Sequence, residues 1–61
     1  MQTSELHLVA ATMRVEAAEL RKAARKMASS GYSAADVARF EGRADGLDSA
    51  ADRLDAVIGP R

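Results

Sequence analysis

Few residues of this chain have side chains suited to chemistry, and they occur in separate patterns. The single histidine, His7, has no second ligand or nucleophile at a spacing that metal binding or catalysis uses. The chain has no cysteine and no glycine-rich phosphate loop, and it has four aspartates at 3-4-3 spacing: Asp45, Asp48, Asp52 and Asp55. A calcium loop needs ligands at alternating positions on a bent backbone, so these aspartates predict a helix face that is solvated or meets a basic partner. The sequence therefore predicts no enzyme, metal, cofactor or small-molecule substrate.

Basic residues cluster before the centre of the chain, with an aromatic residue nearby: Arg21, Lys22, Arg25, Lys26 and Tyr32. A basic patch beside an exposed aromatic side chain suits RNA phosphates and a stacked base. The same residues also fit an ordinary charged helix end, which the helix dipole favours. We favour the second interpretation and keep RNA binding as the alternative.

Composition limits the classes of partner. The 61 residues include nine basic and nine acidic side chains, and this balance argues against general attraction to nucleic acid or anionic lipid. No apolar run approaches the roughly 18 residues that span a bilayer, and no signal-peptide pattern is present. Without cysteine there is no disulfide framework. We therefore expect a cytoplasmic protein that does not bind membranes.

The chain divides once, into two predicted helices of similar length. We expect one helical-hairpin domain over 1–61, with helix 1 at about 4–29, a turn at about 29–33 and helix 2 at about 33–58. Gly31 suits the left-handed position that ends a helix. Because the connection is short, the two helices must be antiparallel neighbours.

Capping residues support these bounds. Thr3 or Ser4 is suited to cap helix 1. Ser33 followed by Asp36 resembles a capping box in which Asp replaces the usual Glu. A glycine and then Pro60 end helix 2.

Apolar residues repeat in heptads along both helices, which is typical of a coiled coil. Folding the chain about Tyr32 places residues whose numbers sum to 64 opposite one another. The resulting layers are Met27–Val37, Ala24–Phe40, Leu20–Ala44, Ala17–Leu47, Met13–Ala51, Ala10–Leu54 and Leu6–Ile58. Five consecutive layers pair an alanine with a large residue, which allows close packing. The fold class predicted is all-α, an antiparallel two-helix coiled-coil hairpin.

Charged residues beside the seam predict the same register. The halves of the chain have opposite charge: residues 1–30 contain five Lys or Arg and three Asp or Glu, and residues 31–61 contain four and six. The expected pairs are Arg21 with Glu41, Arg14 with Asp48, and His7 with Asp55. Such pairs specify register more than they supply stability.

A lone hairpin leaves the large seam residues half exposed, and the usual remedy is a four-helix bundle made by two copies. The alternation of alanine and large layers in a hairpin of this length resembles the architecture of the Rop fold. That fold is a dimeric four-helix bundle that binds paired RNA loops. The resemblance implies a homodimer and, as the alternative function, an RNA-binding regulator using the basic cluster.

Two further stripes are candidates for contact with a protein. The outer stripe of helix 1 consists of Leu8, Ala11, Val15 and Ala18; the small-residue stripe of helix 2 consists of Ala38, Gly42, Ser49 and Ala56. The outer stripe is either a docking surface or partly buried in a bundle. Gly42 and Gly46 have a GxxxG-like spacing, which indicates either close approach of another helix or a tolerated weak position. We therefore expect a small adaptor, inhibitor or assembly protein, of a kind that phages and mobile elements encode, whose partner is itself or another protein.

Overall fold

The computed structural model describes residues 3–59, which form two helices joined by a turn. Helix α1 spans Thr3–Ser29 and helix α2 spans Ala34–Ile58. The helices pack against each other as an antiparallel pair measuring 44 × 16 × 13 Å, and no strand occurs within the described range. The all-α helical hairpin predicted from the sequence is confirmed.

Helix α1 ends in the glycine motif that the sequence predicts. The amide of Tyr32 donates to the carbonyl of Met27 at 3.0 Å, and the amide of Gly31 donates to Ala28 at 3.4 Å. Gly31 has a φ of 86°, a value that glycine adopts without the steric cost that a Cβ adds. These two bonds satisfy the last carbonyls of α1 and turn the chain back toward α2.

Helix α2 begins at Ala34, one residue later than predicted, because Ser33 caps it. Ser33 has extended backbone angles, and its hydroxyl accepts a hydrogen bond from the amide of Asp36 at 3.2 Å. In a full capping box the side chain at Asp36 also accepts from the amide of Ser33. Here that carboxylate accepts from Arg39 at 3.3 Å instead. Aspartate is one carbon shorter than glutamate, so half of the box is formed.

The outer ends of the helices differ from the sequence prediction at one point. Helix α1 already includes Thr3 and Ser4, so neither residue is its cap, and the residue before Thr3 lies outside the described range. At the other end Gly59 has a φ of 90°, and its amide donates to the carbonyl of Asp55 at 2.9 Å. Pro60, the predicted stop signal, lies outside the described residues.

Alanines make up the interior of the hairpin. The residues that are buried within 3–59 are Ala10, Ala17, Ala24, Ala44 and Ala51, each at most 1% exposed. They are the five small members of the predicted layers, so their place in the seam is confirmed. The large members of the layers are only half-buried: Leu6, Met13, Leu20, Met27, Val37, Phe40, Leu47, Leu54 and Ile58. The hairpin therefore closes around alanine and leaves its large apolar side chains in partial contact with water.

Candidate interaction surfaces

One side of the helix pair is covered by ion pairs, and we call it the closed flank. Its members are His7, Arg14 and Arg21 on α1 and Asp45, Asp48, Asp52 and Asp55 on α2. Arg14 contacts Asp52 and Asp55 at 2.9 and 2.8 Å. Arg21 contacts Asp45 and Asp48 at 2.7 and 2.6 Å. The four aspartates thus meet a basic partner on the other helix, one of the two outcomes that their spacing predicts.

Two of the three predicted charge pairs are wrong, because each arginine contacts aspartates about one and two turns beyond its predicted partner. Arg21 binds Asp45 and Asp48 and does not contact Glu41. Arg14 binds Asp52 and Asp55 and does not contact Asp48. Side chains on a helix lean toward its N-terminus, which in an antiparallel pair is the direction of the C-terminus of the other helix. The arginine side chain is long enough for its guanidinium group to reach carboxylates at least one turn away in that direction.

The shorter His7 stays level with its predicted partner, and its pairing with Asp55 is confirmed at 3.2 Å. Arg14, which donates to the same carboxylate, holds the pKa of Asp55 below its ordinary value of 3.8. Partial burial of Asp55 opposes this shift, and the hydrogen bond from His7 adds to it. In turn, the hydrogen bonds to Asp52 and Asp55 raise the pKa of Arg14, and those to Asp45 and Asp48 raise the pKa of Arg21.

His7 has the surroundings of a structural residue. Its Nδ1 donates to Asp55, and its Nε2 is buried with no hydrogen-bond partner in the described part of the chain. The side chain is 13% exposed, so the nitrogen that is not bonded to Asp55 is shielded from solvent. Between residues 3 and 59, no three His, Asp or Glu side chains come together in a group that could hold a metal ion. The hydrogen bond to Asp55 holds the imidazole ring in one orientation.

The opposite side of the helix pair, which we call the open face, presents large apolar side chains. An open groove of about 670 Å³ runs between the helices there, lined by Val15, Glu16, Glu19, Leu20, Arg43, Gly46 and Leu47. Residues seven apart lie on the same side of a helix, so the heptads of Leu20 and Leu47 extend this face in both directions. The open face consists of Leu6, Met13, Leu20 and Met27 on α1 and Phe40, Leu47 and Leu54 on α2. Val9 and Val57, 39% and 85% exposed, lie beside it.

The predicted layers do not by themselves state that seven of the nine large members share one side of the seam, with only Val37 and Ile58 on the other. The signal is present in the heptads. Every large residue of α1 occupies one seam position and every alanine the other, and α2 repeats this arrangement between Phe40 and Leu54. In an antiparallel pair, equivalent seam positions of the two helices fall on the same side. The alanines therefore lie toward the closed flank and the large residues toward the open face.

The predicted stripes are exposed on the hairpin. In the outer stripe Leu8 is 66% exposed and Val15 is 62% exposed, and Ala11 and Ala18 are also exposed. All members of the small-residue stripe are exposed too: Ala38, Gly42, Ser49 and Ala56. Val15 also lines the groove of the open face, so the outer stripe borders that face. The small-residue stripe contributes no residue to this groove, and the fold does not bring the two stripes together. A Cβ added at Gly42 or Gly46 would have no neighbour within 4 Å. Within the hairpin, neither glycine is required by close approach of a helix.

The structure divides the predicted basic cluster. Arg21 belongs to the closed flank, where two aspartates share its charge. A shallow groove is lined by the other three basic residues and two serines: Lys22, Arg25, Lys26, Ser29 and Ser30. Tyr32, at 57% exposed, lies in the adjoining turn. Three cations and one aromatic ring therefore remain at this end of the hairpin.

Neither helix, over the residues described, is long and apolar enough to cross a membrane. Comparison with protein-family models, with curated proteins and with solved structures found no match to this chain.

Proposed function

We propose that this chain is a small, non-enzymatic protein-interaction module, an adaptor, inhibitor or assembly protein, that acts through its helix faces. Its first partner is a second copy, with which it forms a four-helix bundle. The outer stripe of α1 and the small-residue stripe of α2 then face outward from the bundle and are available to another protein. The proposal is supported by how the helices pack.

The observation that carries the proposal is the partial exposure of every large apolar side chain in the seam. Nine such residues are half-buried, seven of them on the open face, whereas the buried residues of the described hairpin are all alanines. Burial of apolar surface contributes roughly 25 cal/mol per Å², so this surface gains stability when another apolar face covers it. Soluble monomers rarely leave a continuous apolar patch of this kind uncovered. A symmetric dimer is the commonest way in which a single gene product covers such a patch.

Solution mass tests the proposal. We expect light scattering to give about 13 kDa, twice the chain mass of 6.5 kDa, over a wide concentration range, with high helicity throughout. Leu20→Glu places a charge on the open face and should shift the protein toward monomer. Leu8→Glu makes the same change on the outer stripe and should leave the dimer intact.

Each alternative outcome has a definite meaning. A monomer that loses helicity on dilution would overturn the homodimer and indicate that a different protein covers the open face. A monomer that stays helical and unfolds cooperatively at every concentration would overturn the interaction role itself, because its half-buried seam would then need no partner.

One observation favours a second function, that of an RNA-binding regulator with a Rop-like architecture. Lys22, Arg25 and Lys26 share a groove with Ser30, two residues before the exposed Tyr32. Phosphate contacts from three cations, with a base stacked on the ring, would give salt-sensitive binding. Replacing the three cations with glutamine should abolish retention on RNA. Arg21 is left unchanged so that the closed flank stays intact. Retention that is absent in the wild type at low salt would dismiss this function.

A further inference from the structure

The two edges of the open face carry opposite charge. On α1 the edge residues that line the groove are Glu16 and Glu19, and on α2 they are Arg43 and Gly46. Positions seven and fourteen residues from Glu19 extend the α1 edge to Lys26, at the turn end, and to Glu5. Positions seven residues from Gly46 extend the α2 edge to Arg39 and Arg53, and the position seven residues before Arg43 adds Asp36 at the turn end. The α1 edge is therefore acidic along most of its length and the α2 edge is basic, with both signs inverted beside the turn.

Within residues 3–59, the edge charges form no ion pair from one helix to the other. In the described range, every ion pair between the helices belongs to the closed flank. The remaining pair, between Arg39 and Asp36, joins neighbours on α2 at 3.3 Å. Glu16, Glu19 and Arg43 line one groove without forming an ion pair, and all three are exposed. A set of opposite charges around an apolar face is well suited to a partner that carries the same set in complementary positions.

A second copy can cover the open face with two-fold symmetry in two ways. If the axis runs parallel to the helices, α1 lies on the partner's α2, and both turns are at the same end. If the axis runs across the helices, α1 lies on the partner's α1, α2 lies on the partner's α2, and the turns are at opposite ends. Both arrangements bury the same apolar residues, so the charges must decide between them.

The parallel axis brings opposite charges together. Residues whose numbers sum to 64 are level in the hairpin, so Glu19 is level with position 45. The partner's Arg43 then lies two residues from Glu19 along the bundle, or about 3 Å. The contact between Glu19 and the partner's Arg43 occurs twice in the dimer. Lys26 is level with position 38, between the partner's Asp36 and Arg39, which form an ion pair with each other, so Lys26 adds no net attraction.

The crossing axis brings like charges together. Helix α1 spans Thr3–Ser29, so its midpoint is residue 16, and a central axis sets Glu16 against the partner's Glu16. Position 48 of α2 is level with residue 16 in the hairpin, so facing positions of α2 sum to 96 and Arg53 faces the partner's Arg43. One edge contact is favourable, because Glu5 lies within one residue of facing the partner's Lys26. Like charges in direct opposition are destabilising and select against an arrangement.

We propose that the second copy docks on the open face with the two-fold axis parallel to the helices, both turns at the same end, and Glu19 against the partner's Arg43. This inference rests on the proposed homodimer and adds its orientation and the residues that select it. Bundle orientation also fixes what the dimer presents to others: both groups of Lys22, Arg25 and Lys26 lie at one end.

Distances between spin labels test the orientation. The chain has no cysteine, so Ser30→Cys introduces a single labelling site in the turn. With both turns at one end, the labels should be about 20 Å apart, since neighbouring helix axes in a bundle are 8–10 Å apart. With turns at opposite ends, the separation approaches the 44 Å length of the hairpin. Ser49→Cys, near mid-length on the outside of α2, should give a short distance in both arrangements and serves as the control.

The outcomes separate this inference from the proposed function. Short distances at both sites support the inference. A long distance at Ser30→Cys with a short one at Ser49→Cys overturns the orientation and leaves the homodimer standing. No dipolar coupling at either site, together with monomer mass, overturns the homodimer and the orientation with it.

Charge reversal provides a second readout that does not depend on labels. Glu19→Arg should weaken the dimer about tenfold, because two symmetry-related contacts become repulsive. Adding Arg43→Glu should restore the affinity. If the turns are at opposite ends, α1 faces the partner's α1 and Glu19 adds to the repulsion between two acidic edges. Glu19→Arg would then reduce this repulsion and strengthen the dimer, and that result would overturn the proposal. Glu41→Arg makes the same change outside the open face and should leave the affinity unchanged.

Discussion

At the scale of single residues, Arg14 and Arg21 form four of the five ion pairs between the helices in the described range. Each is a little over one-third exposed and bridges two aspartates one turn apart on α2. Exposed ion pairs contribute only about 0–1 kcal/mol each, so their main effect is to disfavour other registers. Asp55 is the point where the network is densest, because it accepts from both Arg14 and His7.

The depressed pKa of Asp55 predicts a pH dependence of stability. Its pKa is lower in the folded state than in the unfolded chain, so its contribution is complete above the ordinary value of 3.8 and is lost as pH falls through the folded value. Asp55→Asn should flatten the fall in unfolding free energy below about pH 5. Urea unfolding at fixed protein concentration across this range measures it. Arg14→Gln removes the main cause of the shift and should flatten the curve similarly. An Asp55→Asn curve with the slope of the wild type would contradict the assignment.

At the scale of the elements, the local rules of helix termination operate almost independently of packing. Gly31 and Ser33 end one helix and start the next through bonds made within four residues of the turn, and both roles are predicted from sequence. Gly42 and Gly46 are different, because each weakens α2 without meeting a neighbour in the hairpin. The same residue type thus has opposite effects at two places in one chain.

Substitution of these glycines by alanine should therefore give opposite signs. Gly42→Ala adds a methyl group in open space and should raise the unfolding free energy by about 1 kcal/mol. Gly31→Ala places a Cβ at a φ of 86° and should lower it by roughly 1–2 kcal/mol. Thermal unfolding of both variants measures the difference. A loss of stability in Gly42→Ala would show that another chain approaches the back of α2 closely.

At the scale of the whole molecule, the hairpin buries its small seam residues and leaves its large ones half-buried. Alanine in the seam lets the two helices approach closely and lets the ion pairs cover that side, while the large residues are displaced to the open face. In the proposed bundle, the large residues of both hairpins pack between the two helix pairs. Close packing at the alanines is the condition for this arrangement.

Enlarging one seam alanine tests that condition. Ala17 is fully buried, so Ala17→Leu should overpack the seam and cost about 1–3 kcal/mol. Adding Leu47→Ala, its partner in the layer, should recover part of the loss. Ala18→Leu, the same change at an exposed neighbour, should alter stability by less than about 0.5 kcal/mol. Chemical denaturation compares the four proteins. A double variant no more stable than Ala17→Leu alone would mean that the two residues do not share a layer.

The sequence by itself determined the helices, their turn and which alanines are buried. Heptad spacing and capping residues act over a few neighbours, and a seam that alternates alanine with large residues admits one register. Only the tertiary structure decided the ion pairs of Arg14 and Arg21 and the separation of a closed flank from an open face. Those features depend on the direction in which side chains leave two antiparallel helices and on which side of the seam each one enters. Sequence spacing places a residue on a helix, whereas the packing of the two helices determines what its side chain meets.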